Sequence, residues 1–211
     1  RSTAMPNDPA PNKEATSMLE KAIALDPSYV PAYIAISTRY YYQSRYSDGG
    51  PAMMRRSRAA MDRALTLDPN NEFAAEQVIV AEIESGESIK AYRQAEDLVR
   101  RRPDSVMARW TLAAVLRYPG LLDEATSNCE AAYLIDAAPG IRSCAVSFIL
   151  HGDYDRAMVY IRLVEGSEWA KALTTDVLAR QGKEQEALTL GPATVPQWAG
   201  YPLFKACVQK R

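Results

Sequence analysis

The fold of this chain follows from residues 86–125, which read GESIKAYRQAEDLVRRRPDSVMARWTLAAVLRYPGLLDEA. The stretch begins and ends with the same element, a glycine followed five residues later by alanine, as in Gly86/Ala91 and Gly120/Ala125. Gly152/Ala157 and Gly182/Ala187 repeat the element, which therefore recurs about every 34 residues. Self-similarity at this period predicts a stack of helical hairpins in which each unit buries its apolar face only against its neighbours.

Prolines give a second recurring signal. They close Ala-Leu-Asp-Pro at 24–27, Thr-Leu-Asp-Pro at 66–69 and Arg-Arg-Pro at 101–103. Because proline lacks an amide hydrogen and disfavours helix at the preceding residue, each signal is predicted to end one helix and to precede the next. After each proline, a small residue stands at the fifth position and an apolar one at the ninth: Ala32 and Ile36, Ala74 and Val78, Ala108 and Leu112.

Together the two signals resemble the tetratricopeptide repeat from Ala15 to Leu190. The resemblance implies an all-α fold, a right-handed α-solenoid of antiparallel helix pairs known as a TPR superhelix, with about ten to eleven helices and no sheet. We therefore divide the chain into an irregular proline-rich lead at 1–14, a TPR solenoid at 15–190, and an irregular aromatic segment with a truncated terminal helix at 191–211.

Both ends of the sequence suggest a piece of a longer protein. The helix from Ala15 to Leu25 matches the second helix of a unit whose first helix is missing, and the apolar helix that starts at Pro202 stops at Arg211. Exposed apolar stripes at such ends would favour self-association. Their residues are Met18, Leu19, Ala22 and Ile23 at one end, and Leu203, Phe204 and Cys207 at the other. Trp198, Tyr201 and Phe204 are expected to cap the stack, or alternatively to dock another domain.

An insertion of about eight residues around Ser47–Pro51 separates the two helices of the first full unit. With the sequence from Arg55 to Pro69, it resembles the repeat regions attached to bacterial serine/threonine kinases, adenylate cyclases and winged-helix regulators. That resemblance implies a regulatory or scaffolding role in signal transduction.

The first helices of such units line a concave groove, and residues three, four and seven apart share a helix face. On this basis the predicted groove is aromatic and apolar with two arginines. Its residues are Ile34, Thr38, Tyr41, Tyr42, Glu76, Val80, Ile83, Trp110, Ala114, Arg117, Tyr118, Arg142, Val146 and Ile149.

Tyrosine, tryptophan and arginine are the residues that interfaces enrich. A helix or extended peptide could stack on Tyr41, Tyr42 and Trp110, while Arg117 or Arg142 pairs with a carboxylate. The alternative is that Tyr40 and part of Trp110 fill the core between units. The lysine, asparagine and arginine clamp for acidic chaperone tails is missing, since Ile34, Thr38, Gln77, Met107 and Thr111 occupy the corresponding places.

Other classes of function lack support in the sequence. The net charge of −1 argues against nucleic acid, and the arginines at 55–63 and 100–102 are expected to form solvated helix faces. No apolar run is long enough for a membrane span. The one histidine, His151, precedes the turn glycine Gly152, and no catalytic, cofactor or metal motif is present. We therefore expect that the chain has no enzymatic activity.

Cys129 and Cys144 fall at core positions of consecutive helices. Free buried thiols are expected, because buried cysteine behaves as a small hydrophobe. A disulfide is the alternative, and it would indicate an oxidising compartment. With free thiols a cytoplasmic location is favoured, and a periplasmic one would follow if a membrane span precedes the chain.

The sequence therefore predicts a non-catalytic protein–protein interaction module, the regulatory part of a larger bacterial signalling protein. The alternative is a module that senses a peptide or small ligand in the groove and regulates an attached effector domain.

Overall fold

The computed structural model describes residues 9–46, 49–191 and Val208. Within these residues the chain forms eleven α-helices and one short 3-10 helix, and no strand. It divides into two compact units, Arg1–Ser85 and Gly86–Arg211. Unit 1 contains α1 (Pro9–Leu25), α2 (Val30–Tyr46), α3 (Gly50–Leu67) and α4 (Glu72–Glu84). Unit 2 contains α5 (Ser88–Arg101), α6 (Val106–Arg117), α7 (Leu122–Ile135), the 3-10 helix (Pro139–Ile141), α8 (Cys144–His151), α9 (Tyr154–Arg162), α10 (Glu168–Arg180) and α11 (Glu184–Thr189).

The glycine–alanine element forms the tight turn inside each hairpin. Its four glycines all have positive φ angles, between 74° at Gly182 and 92° at Gly152. No atom lies within 4 Å of where a Cβ would stand at these glycines, so the left-handed backbone rather than space requires glycine. The alanines Ala91, Ala125, Ala157 and Ala187 are 0% exposed. The element on which the sequence prediction rests is therefore confirmed.

The proline signals end their helices as predicted. Helices α1, α3 and α5 end at Leu25, Leu67 and Arg101, two residues before the corresponding prolines. The next helices begin with side-chain caps in two cases, because Asn71 Oδ1 accepts from the Ala74 amide at 3.0 Å and Ser105 Oγ accepts from the Ala108 amide at 3.1 Å. The six spaced positions that follow the prolines are all buried: Ala32, Ile36, Ala74, Val78, Ala108 and Leu112.

The proline-rich lead differs from the prediction. Helix α1 begins at Pro9, inside the segment 1–14 that was predicted to be irregular. Pro9 and Pro11 fall in the first turn, where amide hydrogens have no helical acceptor and a missing one costs nothing. Leu19 and Ile23 are packed against the core around Ile36 and Tyr40, so only part of the predicted apolar stripe of α1 is exposed.

Most of the predicted insertion is absorbed by longer helices. Helices α2 and α3 have 17 and 18 residues and pack against each other. At their crossing Ser37 and Ser57 are buried, and each hydroxyl donates to the carbonyl oxygen of the other residue, at 2.8 and 2.9 Å. Two small hydroxyl residues allow the helices to approach closely with their polar atoms satisfied.

A disulfide between Cys129 in α7 and Cys144 at the start of α8 lies in the core of unit 2. The expectation of free thiols at these two positions is therefore wrong, and the alternative holds. The two side chains project toward each other from consecutive helices, with Cα atoms 5.7 Å apart, which is within the range that a disulfide needs. Residues 192–207 and 209–211, including Cys207 and the predicted aromatic cap, lie outside the described residues.

Candidate partner-binding face

Unit 1 does not expose all of its predicted groove residues. Glu76 and Ile83 are buried, at 2% and 4% exposure, and Ile34 is packed against the core around Met61 and Val78. The prediction failed there because helical spacing identifies residues on one side of a helix but not how far the neighbouring helices reach around it. Thr38, Tyr41, Tyr42 and Val80 are partly exposed.

Glu76 is a buried carboxylate rather than a groove residue. Burial raises the pKa of its carboxyl to about 7, although a 2.7 Å hydrogen bond from Gln77 Nε2 opposes the shift. Tyr40 belongs to the core, as the alternative interpretation held, and its hydroxyl donates to Glu20 Oε1 at 2.9 Å. Burial, reinforced by the hydrogen bond to Glu20, raises the pKa of the Tyr40 hydroxyl to about 12.

In unit 2 two predicted groove residues of α6 meet at one point. Trp110 Nε1 donates to the hydroxyl oxygen of Ser143 at 2.6 Å, and Arg117 donates from its guanidinium to the carbonyl oxygen of Ser143 at 3.2 Å. Trp110 and Arg117 are seven residues apart on α6, two helical turns along one face. Ser143, the residue before α8, thus connects both ends of that face to the next hairpin.

Arg142 extends the arrangement to a third helix. Its guanidinium carbon lies 5.5 Å from the ring centroid of Trp169 in the first turn of α10, within the range of a cation–π contact. Val146, four residues after Arg142, is partly exposed on α8. We call this set the aromatic–arginine face; it consists of Trp110, Arg117, Arg142, Ser143, Val146 and Trp169.

Three predicted residues near this face have other positions. Ile149 and Ala114 are buried, at 1% and 4% exposure, and belong to the core because α8 and α6 are covered by neighbouring helices on that side. Tyr118 is 50% exposed at the end of α6, and its ring centroid lies 5.9 Å from the Arg117 guanidinium carbon.

The arginines of the face lack carboxylate partners within the part of the chain that the structure describes. Arg58, Arg156 and Arg180 pair there with Glu82, Glu130 and Asp176, whereas neither Arg117 nor Arg142 forms an ion pair. Burial lowers the pKa of the Arg117 guanidinium, although arginine remains charged throughout the physiological range. A partly buried cation without an anion favours binding of a carboxylate supplied by a partner.

Ser143 and Trp169 were not among the predicted residues. Trp169 could have been found, because Ser167 has the sequence of an N-cap and its side chain accepts from the Ala170 amide at 3.1 Å, which places Trp169 in the first turn. Ser143 could not have been found, since its role depends on how the 3-10 helix aims the residue toward α6.

Other polar residues in the described part of unit 2 pair with one another. A hollow of about 440 Å³ on α5 and α6 is lined by Arg93, Glu96, Asp97, Val99, Arg100 and Leu112, but Asp97 already pairs with Arg100 and with Arg101. His151 is the last residue of α8, directly before the turn glycine Gly152, and its Nε2 lies 2.8 Å from Asp123 Oδ1. The described residues contain no cluster suited to a metal ion. Among them, no helix is both long and apolar enough to cross a bilayer.

Comparison with solved structures identifies the fold. A tetratricopeptide repeat protein from Parabacteroides merdae superimposes with a TM-score of 0.68 and 14% identity, over 94% of this chain and 77% of that one. The thermophilic TPR protein TTC0263 from Thermus thermophilus gives 0.64 and 17% identity, over 86% and 97%. Yeast Tom70 gives 0.59 and 17% identity, over 93% of this chain and 43% of Tom70. No protein-family model matches the sequence, and no curated protein matches it significantly.

The chain therefore has the tetratricopeptide-repeat fold, as its sequence predicted. A fold does not decide a function, which depends on the side chains that each chain presents.

Proposed function

We propose that this chain is a non-catalytic interaction module that binds a peptide segment of a partner protein on the aromatic–arginine face of unit 2. The observation that carries the proposal is the convergence of Trp110 and Arg117 on Ser143. Both side chains are held by hydrogen bonds while remaining partly exposed, so little side-chain entropy is lost when a partner orders on them.

The chemistry of the face indicates an acidic segment. An indole surface takes up an apolar side chain or a peptide plane, and a guanidinium without an anion takes up a carboxylate in a bidentate pair. The face includes residues on or next to α6, α8 and α10, so a bound segment would span these three helices. We therefore propose an aspartate or glutamate side chain within the segment, next to an apolar residue.

This function is tested by screening a displayed library of random short peptides against unit 2, with the full chain as the target. Selected peptides should be enriched in aspartate or glutamate beside an apolar residue. Because part of the Trp110 indole packs against the core of unit 2, Trp110→Ala is compared under conditions in which circular dichroism shows that the variant is folded. It should then weaken their binding by about 2 kcal/mol or more, roughly thirtyfold. Tyr92→Ala is the matched control, because Tyr92 is an exposed aromatic residue on α5, outside the face. Equal affinity of both variants would contradict the proposal.

We further propose that the module is the regulatory part of a larger bacterial signalling protein. The support is the resemblance of residues 47–69 to repeat regions attached to bacterial kinases, cyclases and winged-helix regulators. Sequencing the gene upstream of the codon for Arg1 tests it: one of these effector domains in the same reading frame is expected, and an unrelated domain would contradict it.

A further inference from the structure

The disulfide of unit 2 lies next to the residue on which the aromatic–arginine face depends. Cys144 follows Ser143 directly in the chain, and the bond ties it to Cys129 in the middle of α7. Both cysteines are fully buried, so the bond is shielded from solvent thiols. The fold thus places a covalent link one residue away from the shared partner of Trp110 and Arg117.

The segment between α7 and α8 has little regular structure, and its backbone is held by local hydrogen bonds, such as those from the Ala145 and Val146 amides of α8 to the carbonyl oxygens of Arg142 and Ser143. From Asp136 to Ser143 it contains only the three-residue 3-10 helix Pro139–Ile141. Ile141 is buried and anchors the middle of the segment. Beyond Ile141, the backbone that carries Arg142 and Ser143 is held at its far end by Cys144. The disulfide adds a covalent restraint to α7 at the residue next to Ser143, and so contributes to where the carbonyl and hydroxyl of Ser143 stand relative to α6.

We infer that Cys129 and Cys144 are positioning residues of the aromatic–arginine face, and that the module acts in its oxidised form in an oxidising compartment. The link to partner binding rests on the proposed function. The positioning of Ser143 relative to Trp110 and Arg117 does not depend on it. It replaces the expectation of a reducing cytoplasm, because structural disulfides form and persist where the surroundings are oxidising.

Formation of the bond needs a disulfide as oxidant. One cysteine thiolate attacks the donor disulfide and releases one donor thiol, and the second cysteine thiolate then displaces the other. The two chain thiols become one disulfide, and the donor disulfide becomes two thiols, which take up the two electrons and the two protons. Once buried, the bond exchanges slowly because attacking thiolates cannot reach its sulfur atoms.

The indole N–H signal of Trp110 in a proton–nitrogen NMR spectrum reports the positioning directly, without a partner. Trp110→Phe assigns the signal among the three tryptophans of the chain. In the oxidised protein the signal should be shifted by its hydrogen bond and protected from exchange with water. In the folded Cys129→Val/Cys144→Ala variant it should move toward the position of a free indole and exchange faster. The reduced wild-type chain should behave in the same way and recover on reoxidation with oxidised glutathione.

Ala157→Gly is the matched control, since it loosens the same core from α9 and leaves the sequence of the segment before α8 unchanged. A Trp110 signal that stays unchanged in the disulfide variant, while the melting temperature falls as in Ala157→Gly, would show a merely structural bond and overturn the inference. Peptides selected in the screen should bind the disulfide variant at least about tenfold more weakly. If no peptide binds even the oxidised chain, the proposed function fails, while the indole signal still decides the positioning.

The compartment is tested in cells of the source organism. Cells are quenched in acid, and free thiols are then alkylated with a maleimide that adds mass, so that the redox state in the cell is preserved. We expect Cys129 and Cys144 to escape alkylation and to be recovered as one cross-linked peptide. Alkylation of both residues in quenched cells would overturn the assignment to an oxidising compartment.

Discussion

Trp110 Nε1 donates a hydrogen bond to the hydroxyl oxygen of Ser143 at 2.6 Å, across a sequence separation of 33 residues. This contact joins the first helix of one hairpin to the start of the next and fixes the plane of the indole. Substitution by phenylalanine separates the aromatic surface of Trp110 from its hydrogen-bond donor. Trp110→Phe keeps an aromatic surface but loses the donor, so it should cost about 1 kcal/mol of stability and weaken binding of selected peptides several-fold. Trp169→Phe is the comparison, and isothermal titration calorimetry of both variants should show the larger loss for Trp110→Phe.

The turn glycines give a prediction about the backbone alone. Gly152 has a φ of 92° and free space around its missing Cβ, so Gly152→Ala should cost about 1–2 kcal/mol through the left-handed conformation. Gly140 also has free space, but its φ is not positive. Urea unfolding of Gly140→Ala should therefore give a free energy of unfolding close to that of the parent. Equal losses in both variants would mean that the turn does not require the left-handed region.

The alanine of the same element tests the packing. Ala125 is 0% exposed in the first turn of α7, so Ala125→Leu should overpack the crossing and cost about 1–3 kcal/mol. Ser127→Leu introduces the same side chain at an exposed position of α7 and should leave the thermal midpoint almost unchanged. An Ala125→Leu variant that melts like the parent would show that the helix register is wrong.

Glu76 predicts a pH dependence of stability. Its carboxyl has a pKa of about 7 in the folded chain against 4.5 for the free side chain, so between these values the folded state binds the extra proton. The free energy of unfolding is therefore highest, as far as Glu76 is concerned, below about pH 4.5. It falls by about 1.4 kcal/mol per pH unit as the pH rises toward 7, and above about pH 7 it stays lower by about 3 kcal/mol. Glu76→Gln removes this loss.

The measurement for Glu76 is the difference in free energy of unfolding between wild type and Glu76→Gln. Glu76→Gln should have the larger free energy of unfolding at about pH 8, and its advantage over wild type should shrink steadily as the pH falls toward about 4.5. Glu87→Gln, at an exposed position before α5, is the control and should give a small difference at every pH. A pH-independent difference for Glu76→Gln would show that the carboxyl is hydrated in the folded state.

The parts of the fold that sequence predicted are those fixed by local chemistry. Gly152 requires a left-handed turn, Pro103 ends α5, and Ala125 fits only where two helices approach closely, so each of these residues implies its own structure. Pro9 misled the prediction because the same residue that ends a helix is also tolerated in a first turn.

The candidate site was predicted only in part, because its geometry depends on contacts distant in sequence. Spacing along α6 predicted Trp110 and Arg117 on one side of the helix, and both of them contact Ser143. It could not show that Ser143 meets both of them, nor that Glu76 and Ile149 lie under neighbouring helices. The redox state of Cys129 and Cys144 also depends on the distance between two helices, which periodicity does not determine.

A double-mutant cycle measures whether Arg117 binds a carboxylate of a partner peptide. Dissociation constants are measured for a selected acidic peptide and for its counterpart with asparagine or glutamine in place of the acid, on wild type and on Arg117→Gln. Arg180→Gln, which removes an exposed arginine paired with Asp176, is the control. We predict a coupling energy of about 1.5–3 kcal/mol between Arg117 and one peptide carboxylate, and none with Arg180. A coupling energy near zero at Arg117, with wild type and Arg117→Gln both folded and both binding the peptide, would show that Arg117 does not bind the carboxylate.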